Sequence, residues 1–300
     1  MVKTAFAERY VHPLPENHRF PMEKYDLLLR QLVYEGTLDH SDIFEPKTIP
    51  MNTVLEVHDG QYLNRLMHLE LAPSEQRKTG FIHSQELIQR ELVIMEGTRM
   101  CCEFALESGI AMNIAGGTHH AFKDRGEGFC LLNDFAIAAA WLLNEKKRNN
   151  VLIIDLDVHQ GNGTASIFES NEKVFTFSMH GENNYPLHKE KSSLDIELKN
   201  GTRDKEYLYE LEQALDQILN KFSPDFIFYQ CGVDILESDK LGHLNVSIQG
   251  CRERDRIVFE TAKSLEVPVV CAMGGGYSPD IKVIVEAHAN TFRHAQNIFF

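Results

Sequence analysis

The stretch Val151-Leu-Ile-Ile-Asp155-Leu-Asp157-Val-His159-Gln-Gly161-Asn162-Gly163 decides how the chain is read. Its first four residues form a short apolar run of the kind that builds a buried strand. In an extended chain alternate side chains share a face, so Asp155, Asp157 and His159 are expected to point into one crevice while Leu156 and Val158 point elsewhere. Carboxylates buried at a strand end are costly unless a cation or hydrogen-bond donors compensate them. Imidazole beside carboxylate is also a ligand set that suits Zn²⁺. The competing reading of this stretch is a salt-bridged turn.

The same kind of apolar run recurs along the chain. Strands are predicted at 3–7, 110–115, 151–156, 173–179, 225–231 and 267–273, with helical periodicity at 23–34, 84–107, 133–147, 203–222, 252–265 and 280–296. Alternating strands and helices predict an α/β fold, a mainly parallel sheet with helices on both faces. Ligands of such sheets bind beyond the carboxyl ends of the strands. No internal repeat, low-complexity tract or Pro/Ser-rich linker divides the chain, so residues 1–300 are read as a single domain.

Three more predicted strand ends carry reactive residues. Phe226-Ile-Phe-Tyr-Gln230 leads into Cys231-Gly-Val-Asp234, and Asp234 would complete three protein ligands beside Asp157 and His159. Three ligands leave an open position, as in catalytic rather than structural zinc sites. Gly116-Gly-Thr-His119-His120 places adjacent histidines where a general base and a general acid are needed, imidazole titrating nearest neutrality. Met273-Gly-Gly-Gly276-Tyr277 offers a phenol that could donate to a developing oxyanion. That last loop lacks the lysine and the glycine spacing of phosphate-binding loops.

Composition narrows the function classes. A formal charge of -14 opposes attraction to phosphate, and the one compact basic run is Lys146-Lys147-Arg148, so direct nucleic-acid binding is not expected. The first residues, MVKTAFAERYVH, contain no signal-like apolar segment, and no run approaches the roughly 18 apolar residues of a membrane span. A cytoplasmic protein with no membrane association is expected, a nuclear location staying open. Six cysteines show no CxxC spacing and read as reduced core thiols.

Taken together, GGTHHA (116–121), GFCLLND (128–134), DLDVHQGNG (155–163), QCGVD (230–234) and GGGY (274–277) resemble the zinc-dependent histone deacetylase family, of the arginase-deacetylase fold. Asn162, where class I and II enzymes have Asp, makes the chain most similar to class IV deacetylases and their bacterial relatives. The resemblance implies one Zn²⁺ on Asp157, His159 and Asp234, with His119 and His120 as the catalytic pair and Tyr277 polarising the substrate carbonyl. It further implies that Asp155 orients His119 and that Asn162 faces His120. A structural K⁺ would lie among Asp155, Asp157, His159, Ser178 and Met179. Gly128, Phe129 and Tyr185 would wall a channel for an acylated lysine side chain. The rim-loop acid that such enzymes place against the peptide backbone is left unassigned within 72–84, where Glu75 and His83 are the candidates.

Other readings compete. A two-metal ureohydrolase of the same fold would need a further carboxylate two positions beyond His159, where Gly161 stands. A deacylase of small acylated amines such as acetylpolyamines would use the same ligand set. A non-catalytic acyl-lysine binding module would usually have lost a ligand, a histidine or the tyrosine, and all are present. Acyl-chain length and oligomeric state are left open.

Overall fold

The computed structural model describes residues 1–300. Eight strands, β1 (Lys3–Ala5), β2 (Ile43–Phe44), β3 (Ile110–Asn113), β4 (Val151–Asp155), β5 (Val174–Gly181), β6 (Leu194–Leu198), β7 (Phe226–Gln230) and β8 (Val269–Ala272), form one sheet in the order β2-β1-β3-β8-β7-β4-β5-β6. Every neighbouring pair is parallel. All residues of β3, β4, β7 and β8 are buried, as expected of strands covered on both faces. These four are adjacent in the middle of the sheet, and they are the strands whose carboxyl ends carry the four motifs.

The α-helices are α1 (Lys24–Tyr34), α2 (Met51–Leu55), α3 (Gly60–Met67), α4 (Pro73–Thr79), α5 (Gln85–Ser108), α6 (Asp134–Asn144), α7 (Asn162–Phe168), α8 (Asp204–Leu219), α9 (Ile248–Ser264) and α10 (Ile281–Phe299). In one group α5 packs on α6 and α6 on α7, while in the other α9 packs on α8 and α10, and α10 on α1. No helix is long and apolar enough to cross a membrane. Three helix starts follow from capping. Ser84, Asn133 and Asp280 each accept a backbone N–H of the first turn.

The expected α/β class and mainly parallel sheet hold, and the departures have local causes. β2 is two residues long and β6 reads LDIEL, a half-buried edge strand without a continuous apolar run. The short helices α2, α3, α4 and α7 give too few turns for a periodic signal. Helix α9 begins at Ile248 rather than at 252, capped by the Ser247 hydroxyl on the Gly250 N–H at 3.0 Å. Gly250 weakens the sequence pattern because glycine disfavours helix. It is needed there because a Cβ would sit 2.4 Å from an Asp204 carboxylate oxygen.

Beneath the carboxyl ends of β4 and β7 lies a fully buried ion pair. Arg254 donates to Asp255 at 2.8 and 3.0 Å, and also to the backbone oxygens of Gly232 (2.5 Å), Cys231 (3.2 Å) and Leu156 (3.4 Å). Asp255 also accepts from the hydroxyls of Tyr229 and Thr291. Arg254 thus ties together the two strand ends from which the candidate metal ligands emerge. Replacing one partner of such a pair leaves an uncompensated buried charge, so Arg254→Met should lower the unfolding free energy by about 3–5 kcal/mol in a denaturant titration. A loss below about 1 kcal/mol would show that these carbonyls do not depend on it.

Candidate active site

Strand β4 ends at Asp155, and the chain turns at once rather than continuing extended. The alternation expected for Asp155, Asp157 and His159 therefore does not apply beyond the first of them. Side-chain caps organise the turn instead, with Asp155 accepting the Asp157 N–H at 3.2 Å and Asp157 accepting the His159 N–H at 3.0 Å. Asp234 reaches the same point from the end of β7 and accepts the Val158 N–H at 2.9 Å. The turn brings together Asp157, His159 and Asp234, whose ligand atoms all lie within 4.8 Å of one another and are all buried.

The surroundings favour a cation at this point. Burial and the charge of Asp157 push the Asp234 carboxyl up to about 7. Burial lowers the His159 pKa, but its hydrogen bonds to Asp157 and Asp234 outweigh this and raise it to about 10. Two backbones pack directly onto the carboxylates. A Cβ on Gly275 would lie 2.0 Å from Asp234 Oδ2 and 2.7 Å from Asp157 Oδ2, and one on Gly232 would lie 2.3 Å from Asp157 Oδ2. The Gly275 N–H donates to Asp157 Oδ2 at 2.8 Å. Gly161 fills the same kind of gap, since a Cβ there would meet Asp155 Oδ2 at 2.2 Å. No side chain, carboxylate or other, fits at 161 in this backbone.

The histidine pair lies beside this cluster with its rings 4.1 Å apart. Asp134, at the start of α6, holds their loop by accepting the Gly117 and Thr118 N–H groups and the Thr118 hydroxyl at 2.9–3.0 Å. From the end of β7, the Gln230 side-chain amide donates to Gly117 O at 2.8 Å. His119 Nδ1 meets Asp155 Oδ2 at 2.7 Å, and His120 Nδ1 meets Asn162 Oδ1 at 2.6 Å. The two rings are tuned in opposite directions. Burial disfavours charge on His119, but Asp155 and Asp157 more than offset it and raise its pKa to about 9. Burial drives His120 well below the usual histidine value, the charges of His119 and His159 add to this, and Asn162 opposes it.

Tyr277 is anchored by its backbone N–H, which donates to Asp239 Oδ2 at 2.6 Å, and its side chain lines the cleft. Burial, then Asp157 and Asp234, hold the phenol far above its usual pKa, so it stays a donor. The cleft is bordered by both histidines, Asp157, His159, Phe129 and Tyr277. Gly128 and Phe129 have φ of 53° and 66°, a backbone that presses Gly128 against the His120 ring, where a Cβ would lie 2.5 Å from Cδ2. Tyr185 stands edge-on to His120 at 4.9 Å and its hydroxyl donates to Glu127. Ser178 pairs in register with Asp155 and its hydroxyl lies 2.9 Å from His180 Nδ1, while Met179 is buried next to it.

The rim candidates Glu75 and His83 do not face the cleft. Glu75 forms a two-pronged pair with Arg65 and accepts the Ala72 N–H, and His83 is buried against the Thr79 hydroxyl. Sequence reasoning missed Asp134, Gln230 and Asp239. Asp134 and Gln230 sit inside the quoted motifs, whereas Asp239 carries no sequence signal because it acts through the Tyr277 backbone. All six cysteines are free and buried.

Comparison with known families matches residues 18–292 to the histone deacetylase domain. The chain belongs to the histone deacetylase family. It is 42% identical over 291 residues to an uncharacterized protein of Picosynechococcus sp. strain PCC 7002, covering 97% of both chains. It is 32% identical to Histone deacetylase 2 of Arabidopsis thaliana, over 92% of this chain and 74% of that one. Among solved structures, an HDAC homolog complexed with SAHA superposes with a TM-score of 0.86 at 25% identity, over 99% of this chain and 84% of the other. An HDAC homolog from Aquifex aeolicus gives 0.83 at 25% identity, over 96% and 82%. This histone deacetylase-family hydrolase therefore has the arginase-deacetylase fold. A direct test of the packing around its carboxylates is Gly275→Ala, which should cut bound metal per chain several-fold in elemental analysis while the far-ultraviolet dichroism stays unchanged. Full metal content in that variant would show that the carboxylates can shift.

Proposed function

We propose that this protein is a deacylase that hydrolyses the amide of an acylated lysine side chain, acetyl or longer, with a single zinc ion held by Asp157, His159 and Asp234. The observation that carries this reading is the convergence of those three buried ligand atoms within 4.8 Å, beside a neutral His120 and a protonated Tyr277 in one cleft. Two carboxylates and one imidazole suit zinc, and three ligands leave a coordination position free. The bound ion would polarise the amide carbonyl and bring the pKa of an attacking water to about 7.

The protein groups divide the remaining work. With Nδ1–H directed at Asn162 Oδ1, His120 presents an unprotonated Nε2 that takes the proton of the water. His119 is held charged by Asp155 and supplies a proton toward the departing amine. The Tyr277 hydroxyl donates to the carbonyl oxygen as negative charge builds on it. Gly128, Phe129 and Tyr185 wall the approach of the alkyl stem. A potassium ion would lie at Asp155, Asp157, His159, Ser178 and Met179, a reading supported at one point by the pairing of Asp155 with Ser178 across β4 and β5. Asn162 supports placement with class IV enzymes, and the buried reduced thiols support a cytoplasmic setting.

The test is steady-state turnover of lysine peptides bearing acetyl, medium and long acyl groups, alongside acetylpolyamines, with and without a zinc-chelating hydroxamate. Turnover of at least one peptide, abolished by the chelator, is expected, and no turnover on any member would overturn the assignment. Tyr277→Phe should lower kcat by about 100-fold to 1000-fold with zinc content unchanged. Asn162→Asp should move the acid limb of the kcat/KM profile upward by about 1–3 pH units. A carboxylate stabilises the His120 imidazolium, so the base form appears only at higher pH. An unmoved acid limb would count against His120 as the base.

A further inference from the structure

The mouth of the cleft has the opposite sign to the chain as a whole. The chain carries a formal charge of -14, yet Arg19, Arg77 and Lys78 border the mouth and no carboxylate does. All three are exposed. Of the acids in the adjoining segments, the exposed Glu182 accepts from the Asn183 side chain, and three more are held by other partners. Glu75 is paired with Arg65, Glu127 with Arg125 and the Tyr185 hydroxyl, and Asp239 accepts the backbone N–H groups of Leu241, Gly242 and Tyr277.

These cations are carried by backbone fastened to the wall of the cleft. The Gly128 N–H donates to Lys78 O at 3.0 Å and the Phe129 N–H to Thr79 O at 2.9 Å, so the last turn of α4 is tied to the wall residues. On the other side of Arg77 and Lys78, Gly80 packs on the Phe129 ring, where a Cβ would lie 2.7 Å from Cε1. Arg19 is held between His18, whose ring nitrogen lies 2.9 Å from Gly80 O, and Phe20, whose ring is 5.4 Å from that of Phe129. A substrate whose alkyl stem passes Phe129 therefore presents the atoms flanking that stem to all three cations.

We propose that this mouth selects acylated amines carrying carboxylates beside the acylated group, above all acyl-lysines in acidic peptide segments. The proposal rests on the deacylase reading of the cleft and adds to it the charge of the substrate. It also turns against acetylpolyamines, whose free ammonium groups would face Arg19, Arg77 and Lys78. Exposed ion pairs are individually weak, each changing affinity by about 1.4-fold to 5-fold, so three acting together predict a preference of about 3-fold to about 100-fold over a neutral substrate, and a wider span against a cationic one.

The experiment uses the zinc-loaded enzyme and three peptides of equal length, each with a central acyl-lysine flanked by Glu, by Gln or by Lys. The acyl group is the one the enzyme hydrolyses best. Values of kcat/KM are compared at about 0.01 M and about 1 M salt, where the Debye length is about 30 Å and about 3 Å. Kd is measured on labelled copies of the same peptides by fluorescence anisotropy, which needs no turnover. Expected is the order Glu, Gln, Lys, spanning about tenfold or more at low salt and collapsing at high salt. In R77E/K78E the order should reverse, and because the three peptides are compared on one protein, a general loss of activity does not affect the readout. Nα-acetyl-Nε-acyl-lysine, as free acid and as amide, shows whether one carboxylate on a small molecule is enough. Equal rates for the three peptides, or a Lys-flanked preference, would overturn the proposal while leaving the deacylase reading intact. Charge-ranked Kd values without turnover would retain the anionic selection and overturn the deacylase reading.

Discussion

Asp157 and Asp234 are enclosed side by side at the ends of two adjacent strands, and the local architecture is arranged around keeping both of them there. At an effective dielectric near 20, two like charges about 4 Å apart repel by about 4 kcal/mol, before any cost of leaving water. Three backbone N–H groups, from Val158, His159 and Gly275, point at their oxygens, and each such bond to a charged acceptor returns about 1.5–3 kcal/mol. These bonds need backbone to approach within hydrogen-bond distance of a carboxylate, and at Gly275 and Gly232 a side chain would prevent that approach. Gly275 of the fourth motif and Gly232 of the second are therefore part of the carboxylate site. They are not spacers for a mobile loop.

The same economy explains why two adjacent histidines behave differently. His119 and His120 share a loop, a degree of burial and a neighbourhood, yet one faces a carboxylate and the other an amide. Asp155 Oδ2 can stabilise a proton on His119, whereas Asn162 Oδ1 fixes the orientation of His120 without adding a negative charge. One ring is thus tuned to hold a proton and its neighbour to stay neutral, and with the rings 4.1 Å apart the charge on the first adds to the burial that suppresses charge on the second. The histidine loop is pinned by Asp134 and Gln230, so this difference in tuning does not depend on loop motion.

How much of this the sequence reveals depends on whether a residue acts through its side chain or through another residue's backbone. The four strand ends were legible because apolar runs of four to seven residues each stop at an unusual polar group. Joining those ends into one site required only that they be central, which the order β3-β8-β7-β4 satisfies. Asp157 and His159 come together for a reason other than strand alternation, since the strand stops at Asp155, caps on backbone N–H groups make the turn, and Asp155 itself faces His119. Glu75 illustrates the opposite failure. Its place on the rim segment made it a candidate, but Arg65, ten residues earlier, takes its carboxylate away from the cleft. The charge of the mouth was also hidden, because Arg19 and the pair Arg77 and Lys78 lie far apart in sequence and are brought together by the packing of His18 and Phe20 on Gly80, Phe81 and Phe129.

The buried cations complete the account of the carboxylates by where they are not. Arg254 lies beneath the strand ends and Lys24 behind the Tyr277 loop, and both are fully enclosed. Neither forms an ion pair with Asp157 or Asp234. Arg254 spends its donors on Asp255 and on the carbonyls of Leu156, Cys231 and Gly232, and Lys24 donates to Gly274 O at 2.8 Å while facing the rings of Phe20, Tyr25 and Tyr277. Burial lowers Lys24 to about 8, with Asp234, Asp157 and Asp239 pulling the other way, so the ammonium form persists at neutral pH. A positive charge bound to the carbonyl side of a peptide lowers the potential energy of nearby anions without occupying their lone pairs. The carboxylates are therefore stabilised from behind by charges that take none of their oxygens, and the side chain that bonds both of them is His159, a group able to give up its proton. Had either cation reached the carboxylates directly, the site would be a closed salt bridge.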